Sequence, residues 1–213
     1  MSPQFWPLYG LRIMTPHLEL RVPHGDVLDE LAAVAAAGVH DEASMPFSVP
    51  WTEGSPEARG LATFQHVLGT VAGWSPKAWT LSLAVRHEGR TVGRQDLATT
   101  DFAVTREGET GSWLGREHQG AGIGTEMRAA VLHLAFDGLG ARYVTSAAMT
   151  DNPASLRVSQ KLGYQEDGLT VISVQGRART LRRLRLSRGD WETHRTVPVE
   201  TTGLAPCREL FGI

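Results

Sequence analysis

The sequence predicts an α+β domain: a mixed central sheet of about six to seven strands flanked by helices. Three observations carry that reading. Segments in which apolar residues alternate (Leu18, Leu20, Val22; Leu81, Leu83, Val85) are interleaved with a segment in which they recur at helical spacing (Met127, Ala130, Val131, Leu134, Ala135). The predicted order is strand, two helices, three strands, helix, strand, helix, strand pair. The strands before and after the helix that begins near residue 123 are therefore joined by a crossover and run parallel, whereas the hairpins are antiparallel. At 213 residues, without a repeat of fixed period, the chain suits one domain over 1–213.

The elements follow in order. Residues 1–16 form an N-terminal segment whose Pro3, Phe5, Trp6 and Pro7 are too apolar for a free tail and pack on the domain. Alternation puts the first strand near 17–22. A helix follows with Asp26 as N-cap, Val27, Leu31 and Val34 as its apolar stripe, and Gly38 as its stop. Pro46 and Pro50 forbid a regular helix between His40 and Pro56; the stretch 45–51 (MPFSVPW) is a surface loop tucked in by its aromatics, or a lid. Ser55 as N-cap and Pro56 at N1 open a second helix, with Leu61, Phe64, Leu68, Val71 and Ala72 as its buried face and 73–76 (GWSP) as its end.

Residues 81–85 and 91–98 then form a hairpin around His87, Glu88, Gly89 and Arg90. Residues 101–111 read as a polar loop and 112–115 as a strand. A glycine-rich turn, 119–125 (QGAGIGT), leads into a helix that Gly138 and Gly140 end. Residues 143–148 are a buried strand. Asn152 as N-cap and Pro153 at N1 start a helix that Gly163 closes. Residues 171–174 and 181–186 pair around Gln175, Gly176 and Arg177, and a short helix lies near Asp190. The tail over 190–213 carries Leu204, Leu210 and Phe211, which need burial on this domain or on a second subunit; a homo-oligomer is one expected arrangement.

Composition narrows the functions. The 21 basic and 23 acidic residues leave no electrostatic footprint for nucleic acid. The single cysteine, Cys207, forms no internal disulfide, which points to a reducing, cytoplasmic compartment. No apolar run of about 18 residues predicts a membrane span, and the first ten residues lack the basic and apolar regions of a signal peptide. The eight histidines are spread without zinc-ligand spacing, so no metal is expected.

The turn at 119–125 is the motif that carries chemistry. Gly120, Gly122 and Gly124 alternate ahead of a helix, where bare backbone and unpaired helix-start amides receive an anion. The spacing is not that of a P-loop, because Ala121 stands where the lysine belongs. A dinucleotide fingerprint starting at Gly120 and Gly122 meets Thr125 in place of its third glycine. A tight connection without ligand is the remaining reading of the turn alone.

Residues 119–124 (QGAGIG) resemble the [QR]-x-x-G-x-[GA] pyrophosphate loop of the GCN5-related N-acetyltransferases (GNAT). Residues 152–164 (NPASLRVSQKLGY) resemble the N-x-x-S-x-x-V-x-x-K-x-G-[FY] segment of that superfamily's ribosomal-protein-acetyltransferase-like branch. Residues 45–51 and 191–196 (WETHRT) are similar to an actinobacterial subgroup, some members of which are associated with succinyl-CoA. The resemblance implies the GNAT fold, with splayed parallel strands around the acyl-CoA site and the 40–56 stretch shaping the acceptor pocket.

By the same resemblance, Trp113 and Leu114 give backbone contacts to the pantetheine arm. Gln119, Gly120, Ala121, Gly122, Ile123, Gly124 and Thr125 hold the pyrophosphate. Asn152 faces the pantetheine, and Lys161 reaches toward the nucleotide end. Ser155 lies near the thioester sulfur and protonates the departing thiolate, and Ser159 stands where other branches carry a tyrosine acid, which puts a tyrosine-based mechanism in doubt. The general base is not identified. Asp101, Glu107 and Glu109 are candidates, Glu126 is explained by the helix dipole, and ordered water serves in much of the family.

The expected activity is transfer of an acetyl or other short acyl group, succinyl included, from acyl-CoA to a primary amine of a protein or small molecule. Two alternatives stand beside it. One is an acyl-CoA-binding sensor without turnover; the other is a nucleotide-dependent oxidoreductase, which the missing third glycine disfavours.

Overall fold

The computed structural model describes residues 4–41 and 44–213. The packing expected of Pro3, and Glu42 and Ala43 within the 40–56 loop, lie outside the described residues; Trp6 packs on the core as expected, whereas Phe5 does not and is 87% exposed. The elements are β1 (Arg12–Met14), β2 (Leu18–Arg21), α1 (Asp26–Ala37), α2 (Pro56–Ala72), β3 (Ala78–His87), β4 (Arg90–Thr100), α3 (Phe102–Thr105), β5 (Glu107–Leu114), α4 (Ile123–His133), β6 (Tyr143–Met149), α5 (Pro153–Lys161), β7 (Gln165–Val174), β8 (Arg177–Ser187), α6 (Arg188–His194) and β9 (Glu200–Thr202). They make one nine-stranded sheet in the order β7-β8-β6-β5-β4-β3-β2-β1-β9. Among the described residues, only β5 and β6 are parallel neighbours, as the helical crossover requires.

The expected α+β class holds, but the sheet has nine strands rather than the six to seven expected. The additional pair, β1 and β9, are three residues each and antiparallel to one another at the sheet edge. A three-residue strand is too short to show a period in sequence. The strand expected at 112–115 begins at Glu107. Its first half reads as polar loop because Glu109 and Gly111 point out of the sheet while Gly108 and Thr110 point in.

The helix starts follow local chemistry. Ser55 Oγ caps α2 by accepting from the Ala58 amide (3.3 Å), and Asn152 Oδ1 caps α5 by accepting from Ser155 (3.1 Å). Gly25, not Asp26, is the N-cap residue of α1. The buried face of α2 also differs from expectation. Gly60, Thr63 and Val67 are buried, whereas Leu61 and Leu68 are 57% and 45% exposed. A Cβ on Gly60 would lie 3.2 Å from the Ala32 carbonyl of α1. Small residues let the two helix backbones approach, and that outweighs the larger leucines.

The core has two parts, one on each face of the sheet. On one face α1 and α2 pack Val27, Leu28, Leu31 and Val67 against Ala84 and Trp113. On the other, α4 packs Ile123, Met127, Ala130 and Val131 against Leu97, Leu114 and Val144. Trp113 and Leu114 thus point to opposite faces of β5. The C-terminal tail closes on this same chain: Phe211 is fully buried beside Trp79 (4.9 Å between centroids), and Trp74 Nε1 donates to the Leu210 carbonyl (2.8 Å).

Candidate active site

β5 and β6 share a register only over Glu107–Tyr143, Gly108–Val144 and Glu109–Thr145. Both strands continue, to Leu114 and Met149, but no longer pair. β4 holds the far edge of β5 over 109–114, and β8 holds that of β6 over 143–149. Each strand is kept in place by its outer neighbour while the shared edge opens into a wedge. Main-chain groups along that edge are available to an extended ligand, as at any strand edge.

The two sequence motifs flank the open end. After β5 the chain turns through 116–122 into α4. Gly120 and Gly122 have φ of +80° and +86°, and Gly122 caps α4; L side chains rarely adopt that conformation. Gly122's carbonyl accepts the amides of Thr125 (3.0 Å) and Glu126 (3.2 Å). The amides of 120–124 donate to no acceptor among the described residues. Ile123 is buried and pins the turn from below, and residues 119–122 are exposed. Gln119 spends its side chain on structure: Nε2 donates to the carbonyls of Val39 (2.7 Å) and Leu114 (3.1 Å). It ties the turn to the end of α1 and occupies the Leu114 carbonyl.

After β6, the Asn152 amide donates to the Met149 carbonyl (2.9 Å), so α5 starts at the mouth of the wedge. Asn152 and Ser155 are both half-buried there. Asn152 uses Oδ1 for its cap, which leaves its amide nitrogen free to point elsewhere. Lys161 lies one helix-length away, on the rim of a groove of about 570 Å³ that also takes in Thr125, His133, Trp191, His194 and Arg195. Lys161 and Arg195 make that groove basic.

A second groove, of about 740 Å³, lies at the closed end of the wedge, on the face that carries α2. His66 and Thr70 of α2, Thr99 of β4, Glu107 and Glu109 of β5 and Thr145 of β6 line it. Glu109 and Thr145 are also the last paired rung before the strands part. Of the carboxylates considered as bases, Glu107 is held by Arg185 (2.9 Å), Glu109 is exposed to the groove, and Asp101 is not among the groove residues. Burial and then the Arg94 guanidinium push the His66 pKa below the ordinary histidine value, with Asp96 pulling the other way. A neutral imidazole at neutral pH therefore faces this groove.

The sequence reading gave no role to two polar residues buried on the α4 side of the wedge, Arg128 and Tyr164. Arg128 donates to Ser112 on β5 (3.0 Å) and Ser146 on β6 (3.2 Å). The Tyr164 hydroxyl is 3.3 Å from Thr110 Oγ1, and Thr110 donates in turn to the Thr145 carbonyl (3.2 Å). Burial pushes the Tyr164 phenol pKa up, while Arg128 and Thr110 pull it back. Ser159 Oγ is fully buried without a partner among the described residues. A signal was present for Arg128: an arginine beside Met127, Ala130 and Val131 interrupts an otherwise apolar stripe. Among the described residues, no group of three or more His, Cys, Asp or Glu is placed to hold a metal, and no helix is long and apolar enough to cross a membrane.

Comparison with known proteins agrees with this architecture. Residues 17–165 match the family model of the acetyltransferase (GNAT) domain. Among solved structures, RimJ of Mycobacterium smegmatis in complex with CoA-disulfide is similar over 86% of this chain and 90% of its own, at 18% identity and a TM-score of 0.69. RimL, a ribosomal alpha-N-protein acetyltransferase in complex with coenzyme A, is 18% identical over 81% of this chain and 95% of its own, with a TM-score of 0.64. A spermidine N-acetyltransferase, a chimera of Vibrio cholerae SpeG and hSSAT, is 17% identical over 83% of this chain and 98% of its own, with a TM-score of 0.61. At these identities the solved structures speak for the fold alone.

Proposed function

This chain belongs to the acetyltransferase (GNAT) domain family, and on that premise we propose that it moves a short acyl group from acyl-CoA to a primary amine by direct attack in a ternary complex. One observation carries the reading: a strand wedge with the unpaired amides of 120–124 at its mouth. A diphosphate fits those amides, since the helix start adds its partial positive charge. The thioester arm then lies along the edges of β5 and β6, and its carbonyl reaches the closed end, where the groove beside α2 admits the amine.

The residues divide the work. The Leu114 amide, rather than its carbonyl, pairs with the pantetheine arm, beside Trp113, whose main chain is paired with Arg94 of β4. Residues 119–125 cradle the pyrophosphate, with Gln119 shaping the turn through its bonds to Val39 and Leu114. Asn152 faces the arm, and Lys161 meets the nucleotide end from its basic groove. Ser155 gives its proton to the leaving sulfur. Glu109 and His66 are the groove groups able to take the amine's proton, directly or through water. The amine forms a C–N bond, the C–S bond breaks, and the sulfur leaves with the electron pair.

The donor is acetyl-CoA or succinyl-CoA. The acceptor is an amine of a protein or of a small molecule; RimL is named for the first kind and the SpeG chimera for the second. The test is incubation with each labelled donor against a peptide array and a polyamine panel, with thiol release followed in parallel. Label in an amide product with stoichiometric free thiol is expected. Binding of CoA with neither turnover nor thiol release would favour a sensor, and no CoA binding would overturn the reading.

A further inference from the structure

Arg128 sits where packing alone would place an apolar residue. It projects from α4 next to Met127 and is 4% exposed. Its Nη2 bonds Ser112 on β5 and its Nη1 bonds Ser146 on β6. Both serines lie past the Glu109–Thr145 rung, where the strands have already parted. The guanidinium therefore spans the floor of the wedge. Its Nε has no acceptor, and no carboxylate pairs with it among the described residues.

The surroundings are neutral. Ser112 faces it from β5 and Ser146 from β6; the Tyr164 phenol, 3.3 Å from Thr110, approaches from the segment after α5. Gln95 of β4, opposite Ser112, is fully buried, and its Oε1 lacks a donor. A buried cation with only hydroxyl partners is costly, and an anion arriving nearby removes much of that cost. The direction of the hydrogen bonds matters as well. Each serine oxygen accepts from the guanidinium, so each serine hydrogen is free to donate elsewhere. Arg128 polarises both hydroxyls in the same sense.

We propose that Arg128 is a positioning residue for acyl transfer: it holds Ser112 and Ser146 as hydroxyl donors, one from each side of the wedge, to the thiolate that leaves when the C–S bond breaks. The inference rests on the acyl-CoA reading above. The electron pair of the C–S bond stays on sulfur, the acyl carbon passes to the amine nitrogen, and nothing is oxidised or reduced. The thiolate finally takes the proton of Ser155, which the proton released by the amine replaces.

The test titrates coenzyme A bound to the protein, read by the ultraviolet absorbance of its thiolate. In the wild type, the bound thiol is expected to titrate at least about one pH unit below free coenzyme A. Arg128→Met is expected to move that titration back toward the free value and to lower kcat about tenfold or more, with the acyl-CoA KM changed less than about threefold. Ser112→Ala with Ser146→Ala, which keeps the cation and removes the donors, is expected to lose most of the shift. The wild-type titration and this double variant decide the matter even if Arg128→Met does not fold. A bound thiol that titrates like free coenzyme A overturns the inference and leaves the donor reading intact. So does a pair of variants that keep the shift, or an Arg128→Met variant that loses only its rate with succinyl-CoA, which would assign the cation to an acyl carboxylate. Failure of the wild type to bind coenzyme A overturns the donor reading itself, and this inference with it.

Discussion

The indole of Trp51 lies against that of Trp113, with ring centroids 5.5 Å apart and planes tilted by 42°. Trp113 belongs to a wedge strand, and Trp51 belongs to the proline-containing loop between α1 and α2. Phe47 extends the contact, 5.2 Å from Trp51, and His40 stands 5.7 Å from Phe47. His40 Nε2 is also 2.7 Å from Thr52 Oγ1. The loop is thus fastened to β5 by an aromatic chain. Two prolines deny it regular structure, so these rings supply the order that backbone hydrogen bonds cannot.

Trp51→Ala is expected to release the loop while the sheet stays folded. Trp51 is half-buried, so the cost in stability should be about 1–3 kcal/mol. The larger effect should fall on the acceptor, with its KM raised about fivefold or more and coenzyme A affinity nearly unchanged. Steady-state kinetics with both substrates varied checks this. An equal loss in both KM values would show that the loop braces the whole wedge rather than the acceptor side.

The turn glycines make different predictions at different positions. Gly122 has positive φ, so Gly122→Val is expected to cost about 1–2 kcal/mol through backbone strain as well as affinity. Gly124 has no such conformation, and a Cβ there would meet Leu114 Cδ1 and Val158 Cγ2 at an ordinary 3.8 Å. Gly124→Val should therefore fold much as the wild type, yet bind coenzyme A at least about tenfold more weakly because its branches crowd the diphosphate. Calorimetry with coenzyme A measures this. Undiminished affinity in a variant carrying both Gly122→Val and Gly124→Val would remove the basis for placing the donor at this turn.

Much of this site was legible because local chemistry fixes it. Ser55 and Asn152 cap the helices they were expected to begin, and the apolar spacing from Met127 to Ala135 gives the buried stripe of α4. What stayed hidden depends on neighbours distant in the chain. The opening of β5 from β6 is set by β4 and β8, which hold their outer edges, and no local pattern announces it. The first half of β5 was hidden because Glu109 serves a groove. Arg128 was visible as an exception to a stripe, but its meaning needed Ser112 and Ser146, which lie on two other elements. The faces of α2 were misjudged because the spacing of large apolar residues does not report where two helix backbones come close.

Glu126 predicts a pH dependence. Thr15 Oγ1 (2.6 Å) and the His17 amide (3.0 Å) both donate to its Oε1, so α4 is clasped to the turn between β1 and β2. Burial pushes this carboxyl pKa up, but the bonds from Thr15 and His17 outweigh it and the net value lies below the ordinary one. A lowered folded value means that the charge stabilises the fold above the unfolded pKa, and that this stability is lost as pH falls through the folded value. Glu126→Gln should therefore be less stable than the wild type by about 1–2 kcal/mol at neutral pH. The two should converge as the pH falls below the lowered folded value. Urea unfolding of both proteins across that range is the check, and a gap that does not close in acid would assign the loss to packing.

The last turn of the chain predicts a cost in stability far from the wedge. Phe211 fills a space among Trp74, Trp79 and the sheet, with centroid separations of 5.5 and 4.9 Å. The Trp74 indole meanwhile bonds the Leu210 carbonyl. Trp79 lies at the start of β3 and lines the groove at the closed end of the wedge, so the tail supports the floor of the site that receives the amine. Phe211→Ala should cost about 3–5 kcal/mol, since a fully buried ring leaves a cavity that two indoles fill poorly. Trp74→Phe removes one hydrogen bond and some packing and should cost about 1–2 kcal/mol. Because the indoles report on this cluster, tryptophan fluorescence followed through thermal unfolding reads both variants. A Phe211→Ala melting temperature within a degree or so of wild type would show that the tail rests on the domain without supporting it.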